Sequence, residues 1–488
     1  MYRLTLLFAI ALLAPQLKAN CQTLLDLKYP EIEMYHAEFL TEPVPHCKAK
    51  GLIGSKINFS LWLPQAWNGR FVMGGAGGFV QPEDNQALRF IGERVLKEGY
   101  ATASTDTGHQ SNGRDNTWGL NDYEAIVNYA YLGMHRAVVA SKAVIADHYG
   151  QASEKSFFVG CSNGGRQGLH EAQRYPEDFD GIVSGAPALN FSGVAAAFVN
   201  VTRSMFPDPN DLSAALVSLG DRRLLRKRLL AACDENDGLA DNLLHDPTAC
   251  NFDPGVLTCA VGQETECLSA DKVAAIKTVY AGPHNSNGAL FFGFPFGAED
   301  IETNGWGSWL TGGAESGSPN AAYDFGVGML RNFVTHNPNW TYEQMDWDTF
   351  PDLIRPVGHL LDANNPDLTQ FRARGGKLLM FHGWADAALS AHMSTDYVDR
   401  VYAHDRTAQD DVRLFMMPGV LHCRGGAAPS VVDWLEVLED WHETDRAPTE
   451  LAATYPDRPG DRKICAWPQK AAYQGGDPDS AAAYLCVQ

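Results

Sequence analysis

The chain has 488 residues, 45% of them hydrophobic and 10% aromatic, as expected for a globular protein with one large core and an insertion. Its formal net charge of -21, from 38 basic and 59 acidic residues, argues against a nucleic acid or an anionic membrane surface as a partner. The ten cysteines are even in number, which indicates an oxidising compartment, and they lack the Cys-x-x-Cys and His spacing of a zinc site.

The N-terminal residues have the pattern of a secretory signal peptide. Met1 to Ala19 contains a basic Arg3, an apolar stretch and a plausible cleavage site that ends at Ala19. A lipoprotein interpretation of Cys21 is disfavoured, because the residues before it, from Lys18, are a poor lead-in to a lipidated cysteine. We therefore expect a secreted or periplasmic protein with no membrane association after the signal peptide is removed.

The pattern after the signal peptide predicts strands and then one long helix. Cys21 to Gln65 is predicted to form the opening strands, and Arg70 to Met73 a strand that leads into the glycine cluster Gly74 to Gly78. A further strand is predicted near Tyr100 to Ser104. Apolar spacing then predicts a helix from Asp122 to Tyr149.

A strand, a sharp turn and a helix follow one another around Ser162. The apolar run Phe157 to Val159 leads into Gly160-Cys161-Ser162-Asn163-Gly164, and a helix-forming segment extends to Pro176. In this context G-x-S-x-G is a nucleophile elbow, in which the flanking glycines let the chain turn tightly and expose the serine hydroxyl. Ser162 is therefore the predicted nucleophile. The alternative is an ordinary glycine-rich turn between a strand and a helix.

An elbow serine needs an acid and a base later in the chain, in the order Ser, Asp, His. Lys377 to Phe381 is a short strand of the buried type, and Asp386 lies on the loop just past it. Val412 to Met417 is another strand, and His422 follows it. Because Ser162 also follows a strand, all three residues are expected at the carboxyl edge of one parallel sheet.

The alternation of strands and helices predicts the fold class and its division. We predict an α/β fold in which an α/β-hydrolase core, residues 20–197 and 371–488, is interrupted by a lid domain at 198–370, where the alternation breaks down. A lid of this kind excludes water and contacts the substrate, while the core carries the chemistry. Ser430 to Glu443 is predicted as an amphipathic closing helix.

Two backbone N–H groups are predicted to bind the oxyanion of the reaction. In this fold one comes from the residue after the nucleophile, here Asn163, and the other from the loop after the third strand. The cluster Gly74 to Gly78 supplies that loop, and we assign the role to Gly75, with a glycine one or two positions away as the alternative. A simple tight turn is the opposing interpretation of the cluster.

Cysteines directly precede Ser162 and directly follow His422, and a disulfide between Cys161 and Cys423 would hold the two reacting residues in register. This arrangement, with Asp386, resembles the tannase and feruloyl esterase family, whose hallmark is a catalytic triad with a disulfide joining the neighbours of Ser and His. The resemblance covers nearly all of the mature chain. It includes Gly74 to Gly78, Ser104 to His109 and Ser184 to Pro187.

The resemblance implies a secreted serine esterase that hydrolyses esters of aromatic carboxylic acids, without an organic cofactor. The mono(2-hydroxyethyl) terephthalate hydrolases of the family are especially similar around His382 to Ala391. Those enzymes hold the free carboxylate of the substrate with a lid arginine, but here no arginine follows Trp309 before Arg331, which argues against that specificity. A peptidase with the same triad and a catalytically silent binding protein are the alternatives from other classes.

The resemblance also implies how the cysteines pair, which their spacing alone does not fix. The implied bridges are Cys21 to Cys47, Cys161 to Cys423, Cys233 to Cys250, Cys259 to Cys267, and Cys465 to Cys486. All five would form in the oxidising compartment that the cysteine count indicates.

An acidic loop lies in the predicted lid. Its carboxylates surround Gly238, which suits a hard cation such as calcium, although the spacing differs from that of an EF-hand and a solvated acidic turn is the alternative. The family resemblance favours a structural calcium ion. The implied ligands are the carboxylates of Asp234, Asp237 and Asp241 and the carbonyls of Leu239 and Leu243.

Two tryptophans of the predicted lid, Trp306 and Trp309, are predicted to form the wall of an aromatic acyl pocket. The alternative is that they pack within the lid, because tryptophan is usually well buried in either case. Ferulate, gallate, a terephthalate monoester and smaller aromatic esters all stay open as substrates. Monomer and dimer stay open as well.

Overall fold

The computed structural model describes residues 21–79, 86–312 and 319–488. The predicted signal peptide, residues 1–19, lies outside these ranges. Within them, none of the helices combines the length and the apolar character that crossing a bilayer requires.

Nine strands form one sheet, in the order β1-β2-β3-β5-β4-β6-β7-β8-β9. Their bounds are β1 Ile32–Leu40, β2 His46–Ile53, β3 Ile57–Pro64, β4 Arg70–Gly74, β5 Ala101–Thr105, β6 Lys155–Cys161, β7 Gly181–Gly185, β8 Lys377–Gly383 and β9 Val412–Met417. The opening strands β1, β2 and β3 pair antiparallel, and β3 pairs antiparallel with β5. From β5 to β9 every neighbouring pair is parallel, so these strands end at one common edge.

Helices cover the sheet and fill the connections between its strands. The α-helices are Gln86–Ile91, Arg94–Lys97, Tyr123–Val127, Gly133–Tyr149, Asn163–Arg174, Phe191–Met205, Leu219–Cys233, Ala270–Ala281, Phe350–Leu361, Thr369–Ala373, His392–His404 and Trp434–Thr444. Short hairpins pair His284–Asn285 with Gly288–Ala289, Glu450–Thr454 with Asp461–Cys465, and Lys470–Tyr473 with Tyr484–Val487.

The core lies on both faces of the sheet because successive side chains of a strand point to opposite faces. Phe158, Ile182 and Leu378 belong to a large cluster on one face, where the helix Gly133–Tyr149 packs on β3 and β5. Their strand neighbours Phe157, Val183 and Leu379 belong to a second cluster on the other face. That face is covered by Trp434–Thr444, which packs on β7 and β8.

The predicted strands before and after the elbow are confirmed, and β9 has its predicted bounds. The predicted helix from Asp122 to Tyr149 exists, but its middle, Asn128–Leu132, is a π turn. The closing helix begins at Trp434 and not at Ser430, because the Asp433 side chain accepts from the N–H of Glu436 and caps the first turn there.

A long segment separates β7 from β8. We call residues 186–376 the intervening segment, and β8 and β9 rejoin the sheet after it. Its first helix runs from Phe191 to Met205 and crosses residue 198, where we predict the lid to begin. The division at 198 and 370 stays a prediction. Since β6, β8 and β9 are parallel, the residues that follow them are brought to the same edge of the sheet.

Candidate active site

Ser162 occupies a sharp turn between β6 and the helix Asn163–Arg174. Its φ of 64° and ψ of -126° lie in a region that a residue with a side chain rarely adopts. The turn is held by its backbone: the Ser162 N–H donates to the carbonyl of Gly185, and its own carbonyl accepts from Ala188, at 3.0 and 3.1 Å. The strained conformation therefore presents the serine side chain at the carboxyl edge of the sheet.

Two of the elbow glycines are required by close backbone approaches. A Cβ on Gly160 would lie 2.6 Å from the backbone of Gly164. A Cβ on Gly164 would in turn lie 2.9 Å from the backbone of Gly75. These contacts explain the G-x-S-x-G spacing, because the strand, the helix and the glycine loop after β4 meet at this point.

Asp386 and His422 meet at the same edge. Asp386 follows β8, His422 follows β9, and the histidine Nδ1 lies 2.8 Å from Oδ2 of Asp386. A carboxylate only accepts, so Nδ1 carries the proton and donates it, which leaves Nε2 of His422 free to accept one. Ser162 and His422 line one cavity. The structure thus brings together all three residues of the predicted triad.

The Asp386 carboxylate is fully buried and receives several donors. Oδ1 accepts from the backbone N–H groups of Ala388 and Leu389 at 2.7 and 2.8 Å. Oδ2 accepts from His422 and lies 3.1 Å from Nε2 of a second histidine, His382. Burial by itself raises the pKa of Asp386, but the two histidines more than offset it and hold that pKa well below its usual range. Asp386 is therefore a stable anion beside His422.

The glycine loop differs in detail from the prediction. The N–H of Gly75 donates to the carbonyl of Val159 at 2.9 Å, so it is committed within the sheet, contrary to the role we assigned to it. The N–H of Ala76 donates to the side chain of Gln167 at 3.1 Å. Gly78, further along the loop, lines the cavity together with Ser162 and Asn163.

A buried arginine ties the elbow to the glycine loop. Arg166 is fully buried, and its Nε donates to Oδ1 of Asn163 at 2.8 Å. The amide of Asn163 donates to the carbonyl of Ala76 at 3.0 Å. The guanidinium also donates to the carbonyls of Tyr129 and Ala130, which lie in the π turn of the long helix, at 3.1 and 2.9 Å. Arg166 thus connects the elbow, the glycine loop and the long helix through a network of buried hydrogen bonds.

The cavity that contains Ser162 and His422 is narrow and mostly apolar. The volume of this cavity that the centre of a water molecule can occupy is about 30 Å³. Four aromatic side chains and one methionine from the intervening segment form much of its wall, and the loop after β8 adds two small or aliphatic side chains. These lining residues are Phe191, Phe198, Trp309, Phe325, Met329, Ala388 and Leu389.

The two predicted tryptophans have different environments. The ring of Trp309 lies 5.3 Å from that of His422 at an angle of 78°, and it stacks on Phe325 at 5.9 Å. Trp306 is fully buried, packs against Tyr280 at 5.6 Å and is absent from the cavity wall. The prediction that Trp306 contacts the substrate is therefore wrong. Trp306 instead packs within the intervening segment, which was the alternative.

Asn304 joins the aromatic wall to the histidine loop. Its Oδ1 accepts from the indole N–H of Trp309 at 3.1 Å, and its Nδ2 donates to the backbone carbonyl of His422 at 2.9 Å. The backbone of Asn304 is left-handed, with a φ of 62°, a conformation that asparagine tolerates better than most residues. One side chain therefore positions both Trp309 and the loop that carries His422.

All five cysteine bridges implied by the family resemblance are present. They join Cys21 to Cys47, Cys161 to Cys423, Cys233 to Cys250, Cys259 to Cys267, and Cys465 to Cys486. The second of these spans 262 residues and links the neighbours of Ser162 and His422. The Cα atoms of Cys161 and Cys423 are 6.0 Å apart. Five disulfides fit a protein that folds in an oxidising compartment.

The acidic loop is held by its own backbone. Asp237 accepts from the N–H groups of Leu239 and His245, and Asp241 from that of Leu243. Oδ1 of Asp234 is buried without a hydrogen-bond partner, and burial, together with the neighbouring carboxylates, raises the pKa of this residue. Arg226 offsets this rise only in part, and Arg462 donates to Asp241 at 2.7 Å, so the pKa of Asp234 stays above its usual range, a condition that a bound cation would relieve.

A different group of side chains has donor atoms close enough to ligate a metal. Among the described residues, the group in which three His, Cys, Asp or Glu donor atoms lie within 4.8 Å of one another is His135, Glu171 and Asp178, and not the acidic loop. Nδ1 of His135 lies 2.6 Å from Asp178, and Lys142 donates to the Asp178 carbonyl. Burial, together with the neighbouring Asp178, raises the pKa of Glu171 well above its usual range, and Lys142 offsets this only in part.

Similar proteins share this architecture. The chain is 32% identical to the mono(2-hydroxyethyl) terephthalate hydrolase of Piscinibacter sakaiensis, across 91% of this chain and 85% of that protein. It is 31% identical to a probable feruloyl esterase of Arthroderma benhamiae, across 89% and 83% of the two chains. The crystal structure of feruloyl esterase B from Aspergillus oryzae superposes with a TM-score of 0.85 at 25% identity, over 96% of this chain and 100% of that one. The molecule is a carboxylic ester hydrolase with an α/β-hydrolase fold.

The family is equally clear. Residues 42–487 match the family described as Tannase and feruloyl esterase, which is nearly the whole of the described chain. The chain therefore belongs to the tannase and feruloyl esterase family.

Three features of the site were not predicted from the sequence. His382 stands four residues before Asp386 and signals its role only by that spacing. No sequence motif indicates the role of Asn304, because asparagine with a left-handed backbone is common in loops. Phe325 lies between Trp309 and Arg331, a stretch whose only notable feature in the sequence is its lack of an arginine. Its ring forms part of the cavity wall.

Proposed function

We propose that the protein hydrolyses carboxylic esters of aromatic acids through an acyl-enzyme, with Ser162 as nucleophile, His422 as base and Asp386 as the acid that orients it. The observation that carries this proposal is that Ser162 and His422 share a cavity walled by Trp309 and Phe325, with His422 hydrogen-bonded to Asp386. An aromatic acyl group suits such a wall, because stacked rings interact favourably at centroid separations of about 4.5–7 Å.

The reaction follows from these positions. Nε2 of His422 takes the proton of Ser162 while the serine oxygen attacks the ester carbonyl, and the imidazolium that forms is stabilised by the buried Asp386 anion. The same proton then passes to the leaving alcohol, which departs and leaves the acyl group on the serine oxygen. Water repeats the sequence, with His422 as its base, and releases the aromatic acid.

Two N–H groups are proposed to bind the oxyanion. The N–H of Asn163 begins the helix after the elbow, where an N–H has no partner inside the helix. The second donor is proposed to come from Gly77 or Gly78 and not from Gly75, whose N–H is engaged by Val159. Removal of one such donor costs about 3 kcal/mol of transition-state stabilisation in comparable sites.

Residues 198–370 of the intervening segment are proposed to act as a lid over the core. Trp309 and Phe325 from this segment wall the cavity, which supports a role in substrate contact. We also propose a structural calcium ion in its acidic loop, held by Asp234, Asp237 and Asp241 and by the carbonyls of Leu239 and Leu243. The partnerless, buried Oδ1 of Asp234 supports that site.

Export is proposed as well, directed by a signal peptide at residues 1–19. The five disulfides support an extracellular or periplasmic location.

The experiment that tests the function is a hydrolysis panel with the purified, calcium-supplied enzyme and with Ser162→Ala. Methyl ferulate, methyl gallate, a terephthalate monoester, p-nitrophenyl butyrate and an aromatic anilide are compared. We expect turnover of the aromatic esters by the wild type alone and none of the anilide. Turnover of the anilide would favour a peptidase. Turnover of the nitrophenyl ester alone would contradict the proposal that the cavity binds an aromatic acyl group.

The terephthalate monoester is the second candidate substrate, because the Piscinibacter relative is named for it. Arg331 is the first arginine after Trp309, but its Nε donates to the carbonyl of Trp340 at 2.7 Å, and the residue is absent from the cavity wall. We therefore expect the monoester to be a poorer substrate than methyl ferulate, and a kcat/KM for the monoester above that for methyl ferulate would reverse this order.

A further inference from the structure

A second histidine lies against the carboxylate that orients His422. His382 is the sixth residue of β8, and its side chain is fully buried. Its Nε2 lies 3.1 Å from Oδ2 of Asp386, the same oxygen that accepts from Nδ1 of His422 at 2.8 Å. One carboxylate oxygen is thus shared by two imidazole rings.

The neighbours of His382 determine which ring nitrogen carries its proton. Nε2 faces two oxygens, Oδ2 of Asp386 and the carbonyl of Leu389 at 3.2 Å, and both are acceptors only. Nε2 must therefore carry a proton, because a lone pair there would be repelled by both oxygens. In the neutral ring Nδ1 is then an acceptor, and the hydroxyl of Ser394 lies 2.8 Å from it.

Ser394 is placed to keep that tautomer. It lies in the first turn of the helix His392–His404, is fully buried and has a hydroxyl that can donate to Nδ1. Without this donor only the two oxygens at Nε2 favour the tautomer. The population of the other tautomer, which turns the Nε2 lone pair toward Asp386, is then expected to rise.

We propose that Ser394 and His382 are positioning residues for the ester hydrolysis, in which the Ser394 hydroxyl fixes the tautomer of His382 and His382 fixes the Asp386 carboxylate. This inference rests on the proposed function. Backbone N–H groups hold only Oδ1 of Asp386, and His382 supplies the second donor to Oδ2, so the direction in which His422 meets its acceptor depends on it. Neither His382 nor Ser394 lines the cavity, so both act through Asp386 and not on the substrate.

This arrangement predicts a change in kcat without a change in KM. His382→Leu removes the donor to Asp386, and we expect kcat to fall on the order of 100-fold, as small misplacements of catalytic groups do. His382→Gln offers an amide N–H at a similar reach and is expected to restore most of that rate. Ser394→Ala is expected to lower kcat about 10-fold, since it weakens the preference for this tautomer and leaves the ring in place.

Ser390→Ala is the matched control. Ser390 is also buried and lies just before the helix that carries Ser394, but its hydroxyl donates to the carbonyl of Gly293 and not to His382. The experiment measures kcat and KM for methyl ferulate and the melting temperature of wild type, Ser394→Ala, Ser390→Ala, His382→Gln and His382→Leu.

A selective fall of kcat in Ser394→Ala and His382→Leu, with recovery in His382→Gln, would support the inference. It would be overturned if Ser394→Ala matched Ser390→Ala in kcat, or if His382→Gln were as slow as His382→Leu. An inactive wild type would instead contradict the proposed function. The His382 pair keeps the test decisive if Ser394→Ala is unstable, because both variants change the same position.

Discussion

The carboxyl edge of the sheet and the intervening segment contribute differently to the same cavity. At the edge, Ser162, Asp386 and His422 are held by short hydrogen bonds, a strained backbone and a disulfide. The intervening segment contributes Trp309 and Phe325, which contact the cavity with apolar ring surfaces. Groups that move protons need fixed directions, whereas an aromatic wall needs only shape and area.

The contrast also explains what could be predicted from the sequence. The meeting of Ser162, Asp386 and His422 was predictable, because a nucleophile elbow has a local pattern and the other two residues follow buried-type strands in a fixed order. The aromatic wall was only half predictable. Trp306 and Trp309 look equivalent in sequence, but the π turn Gly307–Thr311 places one ring in the core and the other in the cavity.

The largest expected effect comes from removing the nucleophile at the sheet edge. Ser162→Ala should lower kcat on the order of 10⁶-fold, because the loss of a triad nucleophile removes the acyl-enzyme route. The measurement is hydrolysis of methyl ferulate with unchanged melting temperature as the control for folding. Residual turnover within about 10-fold of the wild type would place the chemistry on another residue.

The disulfide beside the triad should be next in effect. The double variant Cys161→Ala, Cys423→Ala is expected to lower kcat on the order of 100-fold, because the loops of Ser162 and His422 lose the bridge that keeps them in register. The matched control is Cys465→Ala, Cys486→Ala, which removes a bridge in the C-terminal hairpins. Equal kcat values for the two double variants would contradict a catalytic role of the first bridge.

Loss of the Asn304 contact between the two regions is expected to lower kcat less than loss of the disulfide. Asn304→Gly keeps the left-handed backbone but removes the amide that joins Trp309 to the carbonyl of His422, and we expect kcat to fall about 10-fold. Asn121→Gly controls for the added glycine, because Asn121 also has a positive φ, of 60°. If both variants retained the wild-type kcat, the two regions would be independent.

The aromatic wall should affect selectivity more than rate. Trp309→Ala is expected to lower kcat/KM for methyl ferulate about 10-fold relative to p-nitrophenyl butyrate, since a ring contact contributes about 0.5–1.5 kcal/mol beyond the area it buries. Trp306→Phe, which alters a buried ring outside the cavity wall, should leave that ratio unchanged. A shift of the ratio in Trp306→Phe and not in Trp309→Ala would reverse our assignment.

The smallest expected effect on catalysis is that of the acidic loop. Chelation with EDTA should lower the melting temperature of the wild type by a few degrees, and calcium should restore it, since a ligand that binds only the folded state stabilises it. Asp234→Asn should abolish this response, whereas Asp457→Asn, at an exposed position outside the loop, should keep it. A calcium response that persists in Asp234→Asn would place the ion elsewhere.

The proposed reaction forms a covalent bond between Ser162, at the sheet edge, and an aromatic acyl group. The most direct test is mass spectrometry of the enzyme mixed rapidly with p-nitrophenyl ferulate and quenched in acid. We predict a feruloyl adduct on the peptide that contains Ser162, its disappearance as hydrolysis completes and its absence in Ser162→Ala. Turnover without an adduct in the wild type, or an adduct on a different residue, would contradict an acyl-enzyme at Ser162.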